Sequence, residues 1–165
     1  MNNIVDVILP NFNKEKFLDE TIKSVINQSL EQWRLIIIDN CSTDNSKNII
    51  NKYSSQKKFS TIFLKKNMGV SFSRNLGIRL SKSKYISFID SDDLWDENKL
   101  RDQINFMEKN SFDFTYTDYT PFFDKQNERY YKKKIIVPEI FNYNDFIFDS
   151  SICTSSMILS RKMIK

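Results

Sequence analysis

Apolar positions along this chain change their period in a regular way. Val5 to Leu9 is a short β-branched run stopped by Pro10, which reads as a strand. In "NFNKEKFLDETIKSVINQS", which follows, Leu18, Ile22, Val25 and Ile26 recur at helical spacing, with Asn13 placed to cap the start. Residues 33–39, "WRLIIID", form a continuous apolar run, the pattern of a strand covered on both faces. "STDNSKNIINKYSS" opens with capping residues and carries Ile49, Ile50 and Tyr53, so it predicts a second helix. Residues 59–64 predict a third strand. Over 69–80, Phe72, Leu76 and Leu80 form one apolar stripe, while Val70 and Ile78 lie roughly opposite beside Arg74. Two stripes predict a helix held between layers. Residues 85–89 predict a fourth strand and 96–109 a helix with Leu100, Ile104 and Met107 inward; "FDFTYTDY" alternates like a fifth strand.

The order β-α-β-α-β-α-β-α-β predicts an α/β fold with a mainly parallel sheet flanked by helices. In such sheets ligands bind beyond the carboxyl ends of the strands. Three of those ends carry unusual chemistry: Pro10-Asn11-Phe12-Asn13, Asp39-Asn40-Cys41-Ser42 and Asp90-Ser91-Asp92-Asp93. From about residue 119 the pattern degrades. "TPFFDKQNERYYKKKIIVPEI" reads as a loop or irregular hairpin, "NYNDFIF" as a short helix and "TSSMILS" as a strand. The chain stops at "RKMIK", which reads as the start of a helix, so the domain is expected to continue past Lys165.

Composition narrows the chemistry. A length of 165 residues fits one domain. The chain has no histidine, which removes the usual general base, the Ser-His-Asp route and the commonest metal ligand. Its two cysteines, Cys41 and Cys153, provide neither a disulfide framework nor a Cys-ligated zinc site. A bound metal must then be a hard, oxygen-held ion such as Mg²⁺ or Mn²⁺. The net charge of +4 gives no nucleic-acid signal, and Lys132-Lys133-Lys134 after Arg129 reads as a solvated loop or strand end. An anionic membrane surface is a weaker reading of that stretch. No apolar run approaches the ~20 residues of a membrane span, and no signal-peptide pattern opens the chain, so a cytoplasmic location is expected. The chain's two glycines, Gly69 and Gly77, fall in one short segment. Glycine otherwise avoided marks a need for positive φ or close approach there.

The acidic turn has two readings. Carboxylates near a helix start are favoured by the dipole, and Asp96 and Glu97 fit that role. Asp90 and Asp92 sit earlier, at the strand end, two apart across the small Ser91, so both can point one way. Convergent carboxylates of that kind call for a cation, and the metal reading is the stronger one. For Asp39 a turn residue and an acceptor for a base-edge N–H stand as even alternatives.

At these residues the sequence resembles the inverting family 2 glycosyltransferases, which have the GT-A (Rossmann-like) fold. The resemblance runs through "VDVILPNFNKEKFLDETIKSVINQS", "LIIIDNCSTDNS" and "NMGVSFSRNLGIRLSKSKYISFIDSDD", with a weaker likeness at "SSICTSSMILSRKMI". It implies a nucleotide-sugar site made by Pro10, Asn11, Phe12, Asn13, Asp39, Gly69, Arg74, Asp90, Ser91 and Asp92. Within that site the aromatic Phe12 lies near the base, Asp39 contacts uracil and Arg74 lies near the diphosphate. Asp92, assisted by Asp90, is implied as the ligand of Mn²⁺ or Mg²⁺. Asn11 stands where Thr or Ser is commoner, and Asn40-Cys41 where Asp-Gly is usual, which puts the base preference in question. The resemblance also implies residues 1–118 as a donor-binding half and 119–165 as the start of an acceptor half. The general base is implied past Lys165; nothing matches Asp118, Asp145 or Asp149 to that role. The implied activity is inverting transfer from a nucleotide sugar, UDP-linked by first choice, to a glycan or lipid-linked acceptor in bacterial surface polysaccharide assembly. Work beside the inner membrane face goes with it.

Rival readings are weaker. A phosphatase of the Asp-X-Asp type needs its nucleophile after the first strand, where Pro10-Asn11 stands. A dinucleotide oxidoreductase needs a Gly-x-Gly-x-x-Gly turn, which two glycines cannot make. A non-catalytic nucleotide-sugar-binding module, lacking the base, is the alternative of a different class.

Overall fold

The computed structural model describes residues 3–126, 128–140, 144 and 151–164. Four parallel strands form the body of the sheet: β1 (Val5–Asn11), β2 (Trp33–Asp39), β3 (Phe59–Phe63) and β4 (Tyr85–Phe88). A short β8 (Ile158–Ser160) returns antiparallel to β4, and β5 (Phe114–Thr115) pairs antiparallel with β8. Among the described residues the sheet order is β3-β2-β1-β4-β8-β5. Being antiparallel to β8, as β4 is, β5 runs in the direction of the body strands, so the sheet is mainly parallel as expected and β8 is the strand that reverses. A separate hairpin, β6 (Phe122–Lys125) with β7 (Glu128–Tyr131), fills the stretch read as an irregular hairpin.

Strand alternation sorts the core into two layers. Val5, Val7, Leu9, Leu35 and Ile37 face one side, against Leu18, Ile22 and Val25 of α1 (Glu15–Ile26), Ile49 and Ile50 of α2 (Ser46–Asn51), and Leu100, Ile104 and Met107 of α4 (Lys99–Asn110). Ile8, Ile36, Ile38, Ile86 and Phe88 face the other side, against Leu76 and Ile78 of α3 (Val70–Leu80). Asp6 is fully buried on this second face, where it holds Arg34 and the loop that follows α3. Both glycines meet the need inferred for them. Gly69 has φ +84° at the start of α3. A Cβ on Gly77 would lie 2.4 Å from Ile8 Cγ2, so α3 sits on the sheet closer than any side chain there allows.

Several boundaries differ from the periodicity. β1 runs on through Pro10 and Asn11. The Ile8 carbonyl accepts from the Ile89 N–H on the β4 side, so by alternation the Pro10 nitrogen faces the same side, beyond the end of β4. No ladder bond is lost there. Asn13 does not cap α1; Lys14 holds that position, and Asn13 adopts a left-handed φ of 53° with its side chain turned to Thr43. Nor is α3 held between layers among the described residues. Its closest approach is at the buried Ser73 and Gly77, with Leu76 and Ile78 packed beside them, and Val70 and Leu80 stay 48% and 40% exposed. "FDFTYTDY" narrows to Phe114–Thr115 plus an isolated bridge from Tyr119 to Ile135. In "TSSMILS" the first three residues form a 3₁₀ turn before β8, and Arg161–Met163 form another. "NYNDFIF" lies outside the described residues except for Asn144.

Candidate active site

Parallel register brings the chemistry to one edge. Asn11 is the partner of Asp39, and β4 ends beside them, so the three unusual turns share the carboxyl end of the sheet. Asn11 and Asp39 are both buried, and Asn11 Nδ2 donates to Asp39 Oδ1 at 2.8 Å. Ser42 organises the turn around them. Its hydroxyl donates to Asp39 Oδ1 (2.5 Å) and accepts from Asn11 Nδ2 (3.1 Å) and from the Asn13 N–H (3.0 Å). The Ser42 N–H donates to Asp39 Oδ2 at 3.0 Å. Asp39 is therefore both a turn residue and an oriented carboxylate. An ionised carboxylate offers about four acceptor sites, so capacity remains. Phe12 projects from the end of β1 and is 42% exposed.

The departures at Asn40 and Cys41 have local causes. Asn40 Nδ2 donates to Asn67 Oδ1 (2.7 Å), and Asn40 Oδ1 accepts the Met68 N–H (2.8 Å). The same Asn67 oxygen accepts the Gly69 N–H at 2.9 Å. A side chain with both a donor and an acceptor thus latches the end of β2 to the loop that starts α3, and a carboxylate could not donate. Cys41 has φ 67°, the left-handed region where glycine is at ease, and a side chain there costs about 1 kcal/mol.

At the acidic turn each Asp of the pair holds a cation. Arg74 Nη2 donates to Asp90 Oδ1 at 2.6 Å, and Lys14 Nζ donates to Asp92 Oδ2 at 2.6 Å. Ser91 between them is buried. The Asp90 N–H donates to Ser155 Oγ (3.0 Å), whose hydroxyl donates to Asp93 Oδ2 (2.5 Å). Trp95 Nε1 donates to the Ser155 carbonyl at 2.8 Å, which ties the turn to the strand returning antiparallel. Burial pushes the Asp93 carboxyl above its ordinary range; the Ser155 hydroxyl opposes the rise, the Asp90 and Asp92 charges add to it, and Lys14 opposes it. Below the turn, burial lowers Lys99 to about 7; its Nζ sits 4.4 Å over the Trp95 ring and donates to Gln103 Oε1. Asp96, read as a helix-start carboxylate, precedes α4 and accepts the Asn98 N–H at 2.9 Å.

Two buried polar atoms in this region have no hydrogen-bond partner among the described residues: Asn11 Oδ1 and Arg74 Nε. Such orphans at a strand-end edge mark places where a ligand or ordered water belongs. The oxygen donors of Asp90 and Asp92 fit a hard divalent ion. No group of three or more Asp, Glu, His or Cys side chains that could hold one is present among the described residues. An ion here would need further oxygens from substrate phosphates and water, as Mg²⁺ sites commonly do. Asn67, Ser155 and Lys14 were not singled out by the sequence pattern. Ser42 enters that pattern only as the last residue of the turn after β2, with no task assigned to it.

Asp118 sits elsewhere. It accepts from Lys134 (2.9 Å) and from the Val137 N–H (3.0 Å), and these two hold its carboxyl below the ordinary range. Asp145 and Asp149 lie outside the described residues.

The sequence model of glycosyl transferase family 2 matches residues 6–165. The chain belongs to this family. WfgD of Escherichia coli, a UDP-Glc:alpha-D-GlcNAc-diphosphoundecaprenol beta-1,3-glucosyltransferase, is 30% identical over 162 residues, covering 98% of this chain and 62% of WfgD. The chain spans about three fifths of the curated relatives that it matches along nearly its whole length. Among solved structures, Staphylococcus aureus TarS 1–349 superposes with a TM-score of 0.75 at 24% identity, covering 99% of this chain and 48% of TarS 1–349. In its complex with UDP-GlcNAc the TM-score is 0.64 at 27% identity, covering 69% of this chain and 33% of that one. The mannosyltransferase PcManGT of Pyrobaculum calidifontis, solved with GDP-Man and Mn²⁺, shares the fold at a TM-score of 0.72 and 12% identity, covering 99% of this chain and 46% of PcManGT. The family 2 architecture expected from the resemblance is thus the observed one, a GT-A fold of which this chain forms part.

Proposed function

We propose that this family 2 chain binds a nucleoside diphosphate sugar, UDP-linked by preference, at the carboxyl edge of β1, β2 and β4. The whole protein transfers the sugar with inversion to a glycan or lipid-linked acceptor in bacterial surface polysaccharide assembly, at the inner face of the membrane. One observation carries the reading: the register sets the Asn11–Asp39 pair on the edge that also holds Arg74 and Asp90. That edge offers an acceptor for a base and a cation for a diphosphate. Residues 1–118 supply this donor half, and 119–165 open the acceptor half.

Each residue then has a task. Asp39 accepts the N3–H of uracil, and the exposed ring of Phe12 stacks on the base. Gly69 and the Asn67 turn set the start of α3, so that Arg74 reaches Asp90 with its orphan Nε free to donate to a diphosphate oxygen. Asp92, with Asp90, holds a divalent ion. Such an ion, when bound, adds positive charge where the leaving diphosphate becomes more negative. The acceptor oxygen attacks the anomeric carbon opposite the diphosphate; the new C–O bond forms as the old one breaks, and the acceptor's proton passes to a general base. Asp118 is not that base, since it is committed to Lys134 and Val137.

Base choice tests the donor reading. Uracil presents an N3–H donor where cytosine presents a bare nitrogen, which would face the Asp39 carboxylate acceptor to acceptor. In calorimetric titrations with Mn²⁺, UDP is expected to bind about tenfold or more tighter than CDP, roughly 1.4 kcal/mol. Equal affinity for UDP, CDP and GDP would contradict a base-reading role for Asp39.

A further inference from the structure

Lys14 plays no part in the donor scheme above, yet it contacts the acidic turn directly. Its ammonium lies 2.6 Å from Asp92 Oδ2 and bridges 78 residues of sequence. The backbone that delivers it is pinned. Asn13, in a left-handed conformation, gives its N–H to Ser42 and takes the Thr43 N–H on its side chain. The Lys14 carbonyl accepts from Phe17 and Leu18 at the first turn of α1. Arg74 stands in the same relation to Asp90. Both carboxylates are therefore neutralised by cations belonging to the chain itself, and the Lys14 side chain is still 41% exposed, free to swing away.

We propose that Lys14 is a tethered cation that occupies the divalent ion's place at Asp92 and must leave when the ion binds. The inference rests on the donor reading, in which Asp92 holds the metal. An ammonium and a divalent ion both on Asp92 would repel each other, and Lys14, on an exposed flexible stem, is freer to move than the more buried Arg74 beside Asp90. The exchange has a functional consequence. In the nucleotide-free protein Lys14 competes for Asp92, so the ion binds weakly alone. The donor's diphosphate adds charge and oxygen ligands that tip the exchange, so ion and donor load together. Lys14 acts here as a positioning residue that times metal entry.

The test reads metal binding, not turnover. Mn²⁺ is titrated into nucleotide-free protein and followed by the loss of the free-ion electron paramagnetic resonance signal. Wild type, Lys14→Met, Lys14→Arg and Lys14→Met/Asp92→Asn are compared after circular dichroism shows each to be folded. Lys14→Met is expected to bind Mn²⁺ about tenfold tighter than wild type, since a competing charge is removed. Lys14→Arg, which keeps the charge, stays near wild type, and Asp92→Asn abolishes the gain. With saturating UDP the wild type and Lys14→Met converge. If Lys14→Met binds Mn²⁺ no tighter than wild type while UDP-dependent Mn²⁺ binding through Asp92 is intact, the tethered-cation role is overturned and the donor reading stands. Absence of Mn²⁺ binding in every variant, even with UDP, overturns both.

Discussion

Asp6→Ala is expected to destabilise the chain by about 3–5 kcal/mol at neutral pH, because it removes one partner of a buried ion pair. Asp6 lies on central β1 and is fully buried. Its oxygens accept Arg34 Nε and Nη2, both at 2.9 Å, the Ser81 hydroxyl at 2.8 Å, and the Lys82 and Ser83 N–H groups at 2.7 and 3.0 Å. Alanine leaves the Ser81 hydroxyl and the Lys82 and Ser83 N–H groups without this acceptor, and leaves the partly exposed Arg34 with only the Leu80 carbonyl at 3.2 Å. Burial opposes ionisation of this carboxyl, but the Arg34 guanidinium, the two backbone N–H groups and the Ser81 hydroxyl outweigh it and hold the group at about 2. Folding therefore favours the ionised form. Its contribution is fully present above the ordinary carboxylate value of 3.8 and is lost as pH falls toward 2. The part lost is roughly 2 kcal/mol at 1.36 kcal/mol per unit. Urea unfolding of wild type and Asp6→Ala between pH 2 and 7 should show a gap that narrows over that window. A gap under about 1 kcal/mol at pH 7 would mean that the cluster is not a stabilising anchor.

Gly77→Ala is the second large effect. Alanine in a helix interior normally gains about 1 kcal/mol over glycine. Here the new methyl would lie 2.4 Å from Ile8 Cγ2 and 3.0 Å from its Cγ1. Ile8 is fully buried between α3 and the sheet, and its branched carbon cannot turn aside. Overpacking of this kind costs about 1–3 kcal/mol, so the sign of the usual substitution reverses. α3 also carries Arg74, and lifting it moves the guanidinium off Asp90. Denaturation should therefore show a loss of stability together with weaker UDP binding. In a double-mutant cycle with Ile8→Ala the two costs should fail to add, since the smaller residue makes room for the methyl. Additive costs would place the strain somewhere other than the Gly77–Ile8 contact.

Local pattern made much of this fold legible. "WRLIIID" reads as a strand covered on both faces, and β2 occupies Trp33–Asp39, sheathed by both core layers. The scarcity of glycine pointed to the segment around 69 and 77, where one residue needs positive φ and the other needs no side chain. The strand ends were legible too, and the register sets Asn11 beside Asp39. What stayed hidden depends on register between distant segments. Nothing local to Lys14 foretells Asp92, and nothing local to Asn40 foretells Asn67. Asn13 has the composition of a cap, but a neighbouring turn competes for its side chain and wins. The two apolar stripes of α3 misled for a related reason. Periodicity reports which residues are apolar, whereas the buried positions of α3 are Ser73 and Gly77, with one apolar residue from each stripe, Leu76 and Ile78, packed beside them.

In the proposed function this strand-end edge binds a nucleoside diphosphate together with a divalent ion held by Asp92. Calorimetric titration of UDP into the chain, with and without Mn²⁺, for wild type and Asp92→Ala, tests it most directly. Mn²⁺ is expected to strengthen UDP binding to wild type about tenfold or more, roughly 1.4 kcal/mol, and to leave binding to a folded Asp92→Ala variant unchanged. UDP binding that is equally tight without Mn²⁺, or an Asp92→Ala variant that keeps the full Mn²⁺ effect, would contradict it.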